Sequence, residues 1–552
     1  MKWMDMTFTA IGVQGVERFR CLIAVLVVVV TGVVGAEAPP FEVVAKAQPD
    51  EWVTPGQSRY VRFGRQPAGA SGVAKVNHDY VWGMAASRGK VWFGDVANIV
   101  CLAAATRPDN PLFGASGDSL YRMCDYDATV YPGVPRWLPP AILSRIGDWR
   151  PPDMWRFDPS ANTLKRITPR DARIFRTLGF RSVGATESIV FYAGPNLYAP
   201  GINLFAFNPR TGRYLGSTTL AAYSNIRRFV SVGSALYTTV ENTGGGGSVL
   251  RWMGDVNHPF RFDVVGRLDS TGMYITEHQG RLYVTTWPSG EEGSTRVESG
   301  VLGGLWMSPE MPRDGLQAFH AVFWKKVWDV SFYEPDALVA QTIGGGALAS
   351  FGGDLYWGTM QLPGQGYETF ASTFGTATGA GMILTNTTRA LALFRSSGFE
   401  NPTPVSLLYG DPSLPVYDPV AGTWSMQPNR TGPPLFGLSG FGNPNNAYTW
   451  SMEIHRGKLF VGTFDASTYL HGDHIVRRQP VPVGVGADLF QFPDSQTPAI
   501  PITQDGAGNP FNQGFRNMSS IGDHLFIGTA SASNLRDLGH GQRGGGWELL
   551  RH

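Results

Sequence analysis

Cysteine is scarce in this chain, with three residues in 552. That leaves room for one disulfide bridge and no more. Charge is sparse as well: Asp, Glu, Lys and Arg together make up 16% of the sequence, low for a soluble enzyme. The net charge is +1. Bulk charge therefore recruits no nucleic acid or other polyanion, and only a local basic patch could do so. Gly (69 residues) and aromatics (12%) are plentiful instead. Such a composition suits short strands and tight turns and excludes helical bundles.

The first residues read as an export signal. "VERFR" (16–20) supplies positive charge, "CLIAVLVVVVTGVVG" (21–35) is an apolar core, and "AEA" (36–38) fits a small-x-small cleavage site. The apolar run is short for a membrane span and no cationic stop follows it. Residues 1–38 are thus expected to be a signal peptide and 39–57 an N-terminal tail. The protein would be secreted, periplasmic or at the cell surface. Cys101 and Cys124 then remain, and in an oxidising compartment their simplest state is a disulfide.

The dominant signal is repetition. "HRGKLFVGTFD" (455–465), "IGDHLFIGTAS" (521–531) and "FGGDLYWGTMQ" (351–361) share one grammar. Looser copies are "HQGRLYVTTWP" (278–288), "VGSALYTTVEN" (232–242), "SRGKVWFGDVA" (87–97) and "ATESIVFYAGP" (185–195). Each is a hairpin, followed by a second, aromatic-bearing pair of strands such as "DMWRFDPSANTLKRI" (153–167) or "NLFAFNPRTGRYLGS" (203–217). Four antiparallel strands per unit, repeated seven times, predict an all-β, seven-bladed β-propeller spanning 58–552. "VYDPVAGTWSM" (416–426) lies in a long gap between units and leaves room for an eighth blade.

On these residues the chain resembles the broad class of exported bacterial propellers with kelch-like or sialidase-like repeats, since "VYDPVAGTWSM" is similar to a kelch outer hairpin. Regular Gly-Gly doublets at kelch spacing and a clean S-x-D-x-G-x-T-W box are missing. The resemblance therefore implies an architecture and transfers no catalytic residue.

Strands A to D, inner to outer, place the functional face. The last unit stops at its C strand, "WELLRH" (547–552), and "SRYVRFGRQ" (58–66) is expected to supply the missing D strand and close the ring. A–B turns are tight. B–C spacers (96–152, 288–302, 362–389, 464–486) and D–A connections (310–344, 400–446) are long and share the other face, where binding is expected. His278, His455 and His524 belong to the tight turns and are expected in solvent.

Strand ends at the loop-rich mouth nominate ligand-binding residues. They are His78, Asp79, Asp95, Arg181, Arg227, Asn242, Gln361, Tyr448, Trp450, Asp465, Arg516 and Asn517. Such a ring suits sugars, peptides or other polar ligands. "YLHGDHIVRR" (469–478) places His471, Asp473 and His474 in one long loop, a donor set for a transition metal or acid–base chemistry. "NTGGGGSV" (242–249) lacks the Lys-Ser/Thr of a phosphate loop, and "TIGGGAL" (342–348) reads as close-packed backbone near the axis. No cofactor is named by any motif. The expected role is recognition of a polar ligand, glycan or extracytoplasmic protein. The rivals are a glycan hydrolase or lyase at the axial mouth and a structural envelope component.

Overall fold

The computed structural model describes residues 40–54, 57–60, 72–107, 110–112, 119–124, 149–288, 300–399, 405–482, 484–536 and 544–552. The expected signal peptide lies outside them. Strands β1 to β4 are Glu42–Lys46, Glu51–Thr54, Gln57–Tyr60 and Val73–Lys75. Four-stranded antiparallel meanders then follow one another along the chain. The first holds β5 to β8 (His78–Ser87, Lys90–Ala97, Met154–Asp158, Thr163–Arg166). Next come β9 to β12 (Ser182–Ala185, Val190–Pro195, Ile202–Phe207, Tyr214–Leu220). β13 to β16 are Tyr223–Val232, Ala235–Asn242, Gly247–Trp252 and Phe262–Leu268. β17 to β20 are Gly272–His278, Arg281–Thr286, Gly304–Met307 and Lys325–Asp329. β21 to β24 are Ile343–Phe351, Asp354–Gln361, Leu393–Ser396 and Ser406–Tyr409. A hairpin, β25–β26 (Ser413–Asp418, Thr423–Pro428), precedes β27 to β30 (Asn446–His455, Lys458–Asp465, Leu489–Phe492, Ile500–Thr503). The last meander is β31 to β33 (Asn512–Ile521, His524–Ser531, Glu548–Arg551).

Each inner strand lies against the inner strand of the next meander, and β31 lies against β5. The fold is a β-propeller. Two-residue turns such as Arg88-Gly89, Gln279-Gly280 and Arg456-Gly457 join the first two strands, with φ positive at both positions. That is the turn whose twist matches a hairpin.

The glycine in "FVGT" has a packing reason. A Cβ on Gly462 would stand 2.8 Å from Phe515 Cβ on the next inner strand. Gly94, Gly358 and Gly528 meet Phe180, Thr449 and Val81 in the same way. In the looser copies the relation is inverted. Thr239 and Thr285 keep their side chains, and the next inner strand supplies Gly272 and Gly345, whose Cβ would stand 2.8 and 2.5 Å from those threonines. "TIGGGAL" is thus close-packed backbone, as expected.

Four expectations need correction. The fourth strand beside β33 is β1, with Glu42 opposite Arg551 and Lys46 opposite Glu548. "SRYVRFGRQ" does not fill that place: Gln57–Tyr60 pairs with β2, and 61–66 lie outside the described residues. What favours β1 is burial of Phe41 and Val43 against Leu525 and Leu550, plus a Lys46–Glu548 ion pair of 2.7 Å. "VYDPVAGTWSM" forms the β25–β26 hairpin, paired only with itself among the described residues, its Trp424 stacked on Phe370 and its Tyr417 edge-on to the same ring. Residues 308–324 run between β19 and β20, so part of the 310–344 insertion is a C–D connection. The histidine correction concerns His278 and His455, which are buried, while His524 is exposed as expected. His278 Nδ1 lies 2.8 Å from Ser350 Oγ, and His455 Nδ1 2.8 Å from Ser520 Oγ. Both residues end an inner strand, where the next sheet covers the side chain.

Candidate functional site

The inner strands are not regular at their loop-rich ends. Register shifts fall at Val81/Gly83 in β5, Ile226/Phe229 in β13, Gly272/Ile275 in β17, Thr449/Ser451 in β27 and Phe515/Asn517 in β31. A bulge adds a residue and re-aims its side chain. The residues so placed include Trp82, Arg227, Met273, Trp450 and Arg516. Arg181 stands at the start of β9. Arg181, Arg227 and Arg516, with Trp82 and Trp450, form the floor of a pocket of about 350 Å³.

Three insertions build its walls. Helix α1 (Ile99–Thr106) contributes Ile99, Leu102 and Ala103. Leu362 and Pro363 precede α2 (Gln365–Phe374), which is followed by α3 (Ala380–Thr387). Tyr469 comes from α4 (Ser467–Val476), and Tyr80, Tyr448 and Phe464 complete an aromatic wall. The insertions hold one another. Arg107 Nη2 donates to Glu368 Oε2 at 2.6 Å, and Asn110 Nδ2 to Pro363 O at 2.9 Å. A Cys101–Cys124 disulfide ties α1 to the segment whose Leu120 N–H donates to Asp473 Oδ1 at 2.8 Å.

The three floor guanidiniums are more than nine-tenths buried. Arg181 Nη1 donates to Asn225 Oδ1 (2.9 Å), Arg227 Nε approaches Met273 Sδ (3.1 Å) and Arg516 Nε donates to Trp82 O (3.0 Å). Arg181 lies 5.1 Å from the Trp82 ring centroid, and Arg516 5.1 Å from that of Trp450, distances of cation–π contact. Burial, then the neighbouring arginines, push Arg181 well below its ordinary value and Arg227 down to about 9. Burial also lowers Arg516 and raises the hydroxyls of Tyr448 and Tyr469. No Asp, Glu or His is among the described lining residues.

Of the residues nominated from sequence, Arg181, Arg227, Tyr448, Trp450 and Arg516 therefore meet. The others do not line this pocket. Asp79 Oδ2 accepts from Ile99 N–H at 2.8 Å and starts α1, and burial raises its carboxyl well above the usual range. His78 Nδ1 lies 3.0 Å from Asp95 Oδ1; burial depresses the imidazole, but the charge and hydrogen bond of Asp95, joined by the charges of Asp153 and Asp50, together outweigh it and lift the ring to about 10. Asp95 also accepts from Asp153 N–H and Trp155 Nε1. Asn242 accepts from Ser248 Oγ inside a turn. Gln361 holds Thr342, Thr387 and the Arg389 N–H. Asp465 accepts from Ser467 N–H and Asn443 Nδ2, and burial raises it to about 6. Asn517 bridges Val81 O and Arg228. Second-strand exits stand one strand back from the axis, so Asp95, Gln361 and Asp465 hold the segments that follow them.

His471, Asp473 and His474 lie on α4, not in an open loop. The rings of His471 and His474 are 6.3 Å apart, and Asp473 faces Leu120. Among the described residues no cluster of three or more His, Cys, Asp or Glu is arranged to hold a metal ion. Sequence reasoning missed Tyr80, Trp82, Tyr469 and α1. A signal for two of them existed: "YVWGM" (80–84) aligns with "YTWSM" (448–452), so Tyr80 and Trp82 match Tyr448 and Trp450.

No protein-family model matches the sequence, and no curated protein is similar to it. Among solved structures the chain is similar to a luciferin-regenerating enzyme, at 11% identity over 67% of this chain and 90% of that one, with a TM-score of 0.32. A computationally designed Ika8 protein is similar at 8% identity over 86% and 97%, with a TM-score of 0.36. The β-propeller domain of the Trilobed protease from Pyrococcus furiosus is similar at 6% identity over 83% and 94%, with a TM-score of 0.35. Likeness at this level says nothing about activity or ligand.

Proposed function

We propose that this protein is an extracytoplasmic, seven-bladed β-propeller that binds a small molecule in the pocket at its loop-rich mouth. The observation that carries the reading is the lining itself: Arg and aromatic side chains converge on a space of about 350 Å³, within the usual range for ligand sites, and among the described lining residues no acid or imidazole joins them. A glycan hydrolase needs two carboxylates across the scissile bond. Elimination needs a proton acceptor, and the nearby tyrosine hydroxyls are pushed away from that role. Binding is thus favoured over catalysis. Closure of the ring by β1 and a seven-unit count are supported by the strand pairings. An oxidising location is supported by the disulfide. Among the described residues no helix is long and apolar enough to cross a membrane.

The test is a thermal-shift screen with a metabolite and glycan library, followed by hydrogen-exchange footprinting of each hit. Protection is expected at 99–107 and 448–452. Footprints centred on 87–90, 278–281 and 455–458 would place binding at the opposite end and overturn the reading.

A further inference from the structure

Met154, Leu489 and Leu549 each stand opposite the second-strand glycine of their own meander, Gly94, Gly462 and Gly528. The residue before each is a buried acid: Asp153, Asp488 and Glu548. Two of the three are answered by a cation from the fourth strand. Arg166 Nη2 of β8 lies 2.6 Å from Asp153, and Lys46 Nζ of β1 lies 2.7 Å from Glu548. Lys46 Nζ also donates to Gly544 O at 2.8 Å. Beside Asp488 the fourth strand is β30. Thr503 faces Leu489 there, and the next residue is Gln504, neutral and exposed.

The rest of the setting is duplicated. "GFGNPNN" (440–446) repeats as "GAGNPFN" (506–512), and "GVGAD" (484–488) as "GGGWE" (544–548). Asn446 Nδ2 donates to Asp488 Oδ2 at 2.7 Å, as Asn512 Nδ2 does to Glu548 Oε2 at 2.8 Å. The other oxygen differs. Glu548 Oε1 takes Lys46, whereas Asp488 Oδ1 is buried with no hydrogen-bond partner among the described residues. Gln504 is near enough to influence the carboxylate but makes no hydrogen bond to that oxygen. A second carboxylate adjoins: Asn443 Nδ2 lies 2.7 Å from Asp465 Oδ2 and 3.2 Å from Asp488 Oδ2. Neither aspartate forms an ion pair among the described residues. A buried carboxylate oxygen left without a partner is costly.

We infer that Asp488 holds a hard divalent cation, Ca²⁺, in the place that Lys46 fills beside Glu548. The donors are oxygens: Asp488 Oδ1 and, by the parallel with Gly544, the carbonyl of Gly484, with water completing the shell. Asp465 adds negative charge from the far side of the Asn443 amide. An all-oxygen set suits Ca²⁺ and not a transition metal. With two carboxylates the site is weak, and a dissociation constant of about 10⁻⁴–10⁻³ M is expected, as in extracellular modules. Entry is from the rim, where Gly484 is partly exposed and Gln504 exposed. The cation would stiffen a corner where three segments meet: the connection before β27, the start of β29, and α4, whose Ser467 N–H donates to Asp465.

The experiment titrates the intact chain, first stripped with EDTA, with calcium chloride. Calorimetry and thermal unfolding are the readouts. A hundredfold excess of Ca²⁺ over the dissociation constant should raise the melting temperature by on the order of 2 °C. Amide exchange should slow at 443–446 and 484–488. Asp488→Asn should lose the Ca²⁺ response. Gln504→Lys sets an ammonium at the register of Lys46 and should also lose it, while melting in EDTA at or above the native chain. A variant that had merely misfolded would melt lower. Ca²⁺ binding at full strength in Asp488→Asn would put the cation elsewhere and overturn the assignment. Equal protection of 443–446 and 484–488 by K⁺ in EDTA would overturn the divalent cation. A native chain indifferent to Ca²⁺ would overturn the proposal outright, and an Asp488→Asn variant as stable as that chain would then show that Asp488 Oδ1 carries a proton instead.

Discussion

The two ends of the inner strands are built for different purposes. At the tight-turn end each strand is bolted to its neighbour. His278 bonds Ser350, His455 bonds Ser520, Ser87 Oγ donates to Thr186 O and Ser231 Oγ to Ala185 O, all within 2.7–2.8 Å. Every one of these contacts joins two meanders. At the loop-rich end the same strands bulge, and the side chains so turned face an open pocket with like charges side by side. One end contributes stability. The other accepts a local electrostatic cost, as binding sites on rigid scaffolds do.

The comparison is tested most severely away from the pocket, at ring closure. Deleting residues 41–47 removes the partner of β33 together with the buried Phe41 and Ala47 and the Lys46–Glu548 ion pair. The expected loss is on the order of 5 kcal/mol, or failure to fold. Urea unfolding measures it. A truncated chain with an unchanged midpoint would show that β1 is not the closing strand.

The disulfide belongs to the loop-rich end and comes next. Its sequence separation of 23 residues predicts about 3 kcal/mol in the chain-entropy account. If the comparison holds, Cys101→Ala with Cys124→Ala loosens α1 and its pocket wall more than the sheets. Exchange should quicken at 99–106 and stay slow at 344–350 and 451–455. Uniform quickening would mean that the insertions also hold the propeller together.

The buried histidines probe the other end. His278→Ala and His455→Ala each leave a serine hydroxyl without its partner, at a cost of about 1–3 kcal/mol. The exposed His524 occupies the same kind of turn, and His524→Ala should stay within about 0.5 kcal/mol. Ligand binding should be indifferent to all three. Equal effects at the three positions would erase the distinction between bolted and free turn residues.

Much of this architecture was legible because the spacing of "LFVGT"-like hairpins is imposed by packing. Gly462 faces Phe515 and Gly358 faces Thr449, so the signal is strong where the second strand carries the glycine. It fades at Thr239 and Thr285, because there the glycine belongs to the next strand. The pocket was half legible. Arg181, Arg227, Tyr448, Trp450 and Arg516 were reachable by counting from strand starts. Asp95, Gln361 and Asp465 were not distinguishable from them, since a bulge is a pairing property that no single strand displays. The burial of His278 is likewise set by a neighbouring sheet, and "HQG" alone reads as an exposed turn.

The smallest effect concerns Glu453, near the turn end of β27, which lines a chamber of about 550 Å³ distinct from the pocket. Burial pushes its carboxyl from the ordinary 4.5 up to about 7, against the opposing influence of the Ser520 N–H and of Arg228. The folded chain therefore keeps a proton that the unfolded chain releases. Between about pH 4.5 and 7 the native state binds more protons, so stability falls as pH rises through that window and the loss is complete above it. Asp465 and Asp488, raised to about 6 and about 7, act in the same direction, so the informative quantity is the difference between native and variant chains. Glu453→Gln keeps the shape and cannot ionise. It should match the native chain at pH 4 and exceed it at pH 8 in urea unfolding, by less than the roughly 3 kcal/mol that the full shift would give, because the partly exposed side chain is screened by solvent. A variant less stable than the native chain at pH 8 would show that the ionised carboxylate is stabilised by Arg228, and that the turn end too carries a charge with a purpose.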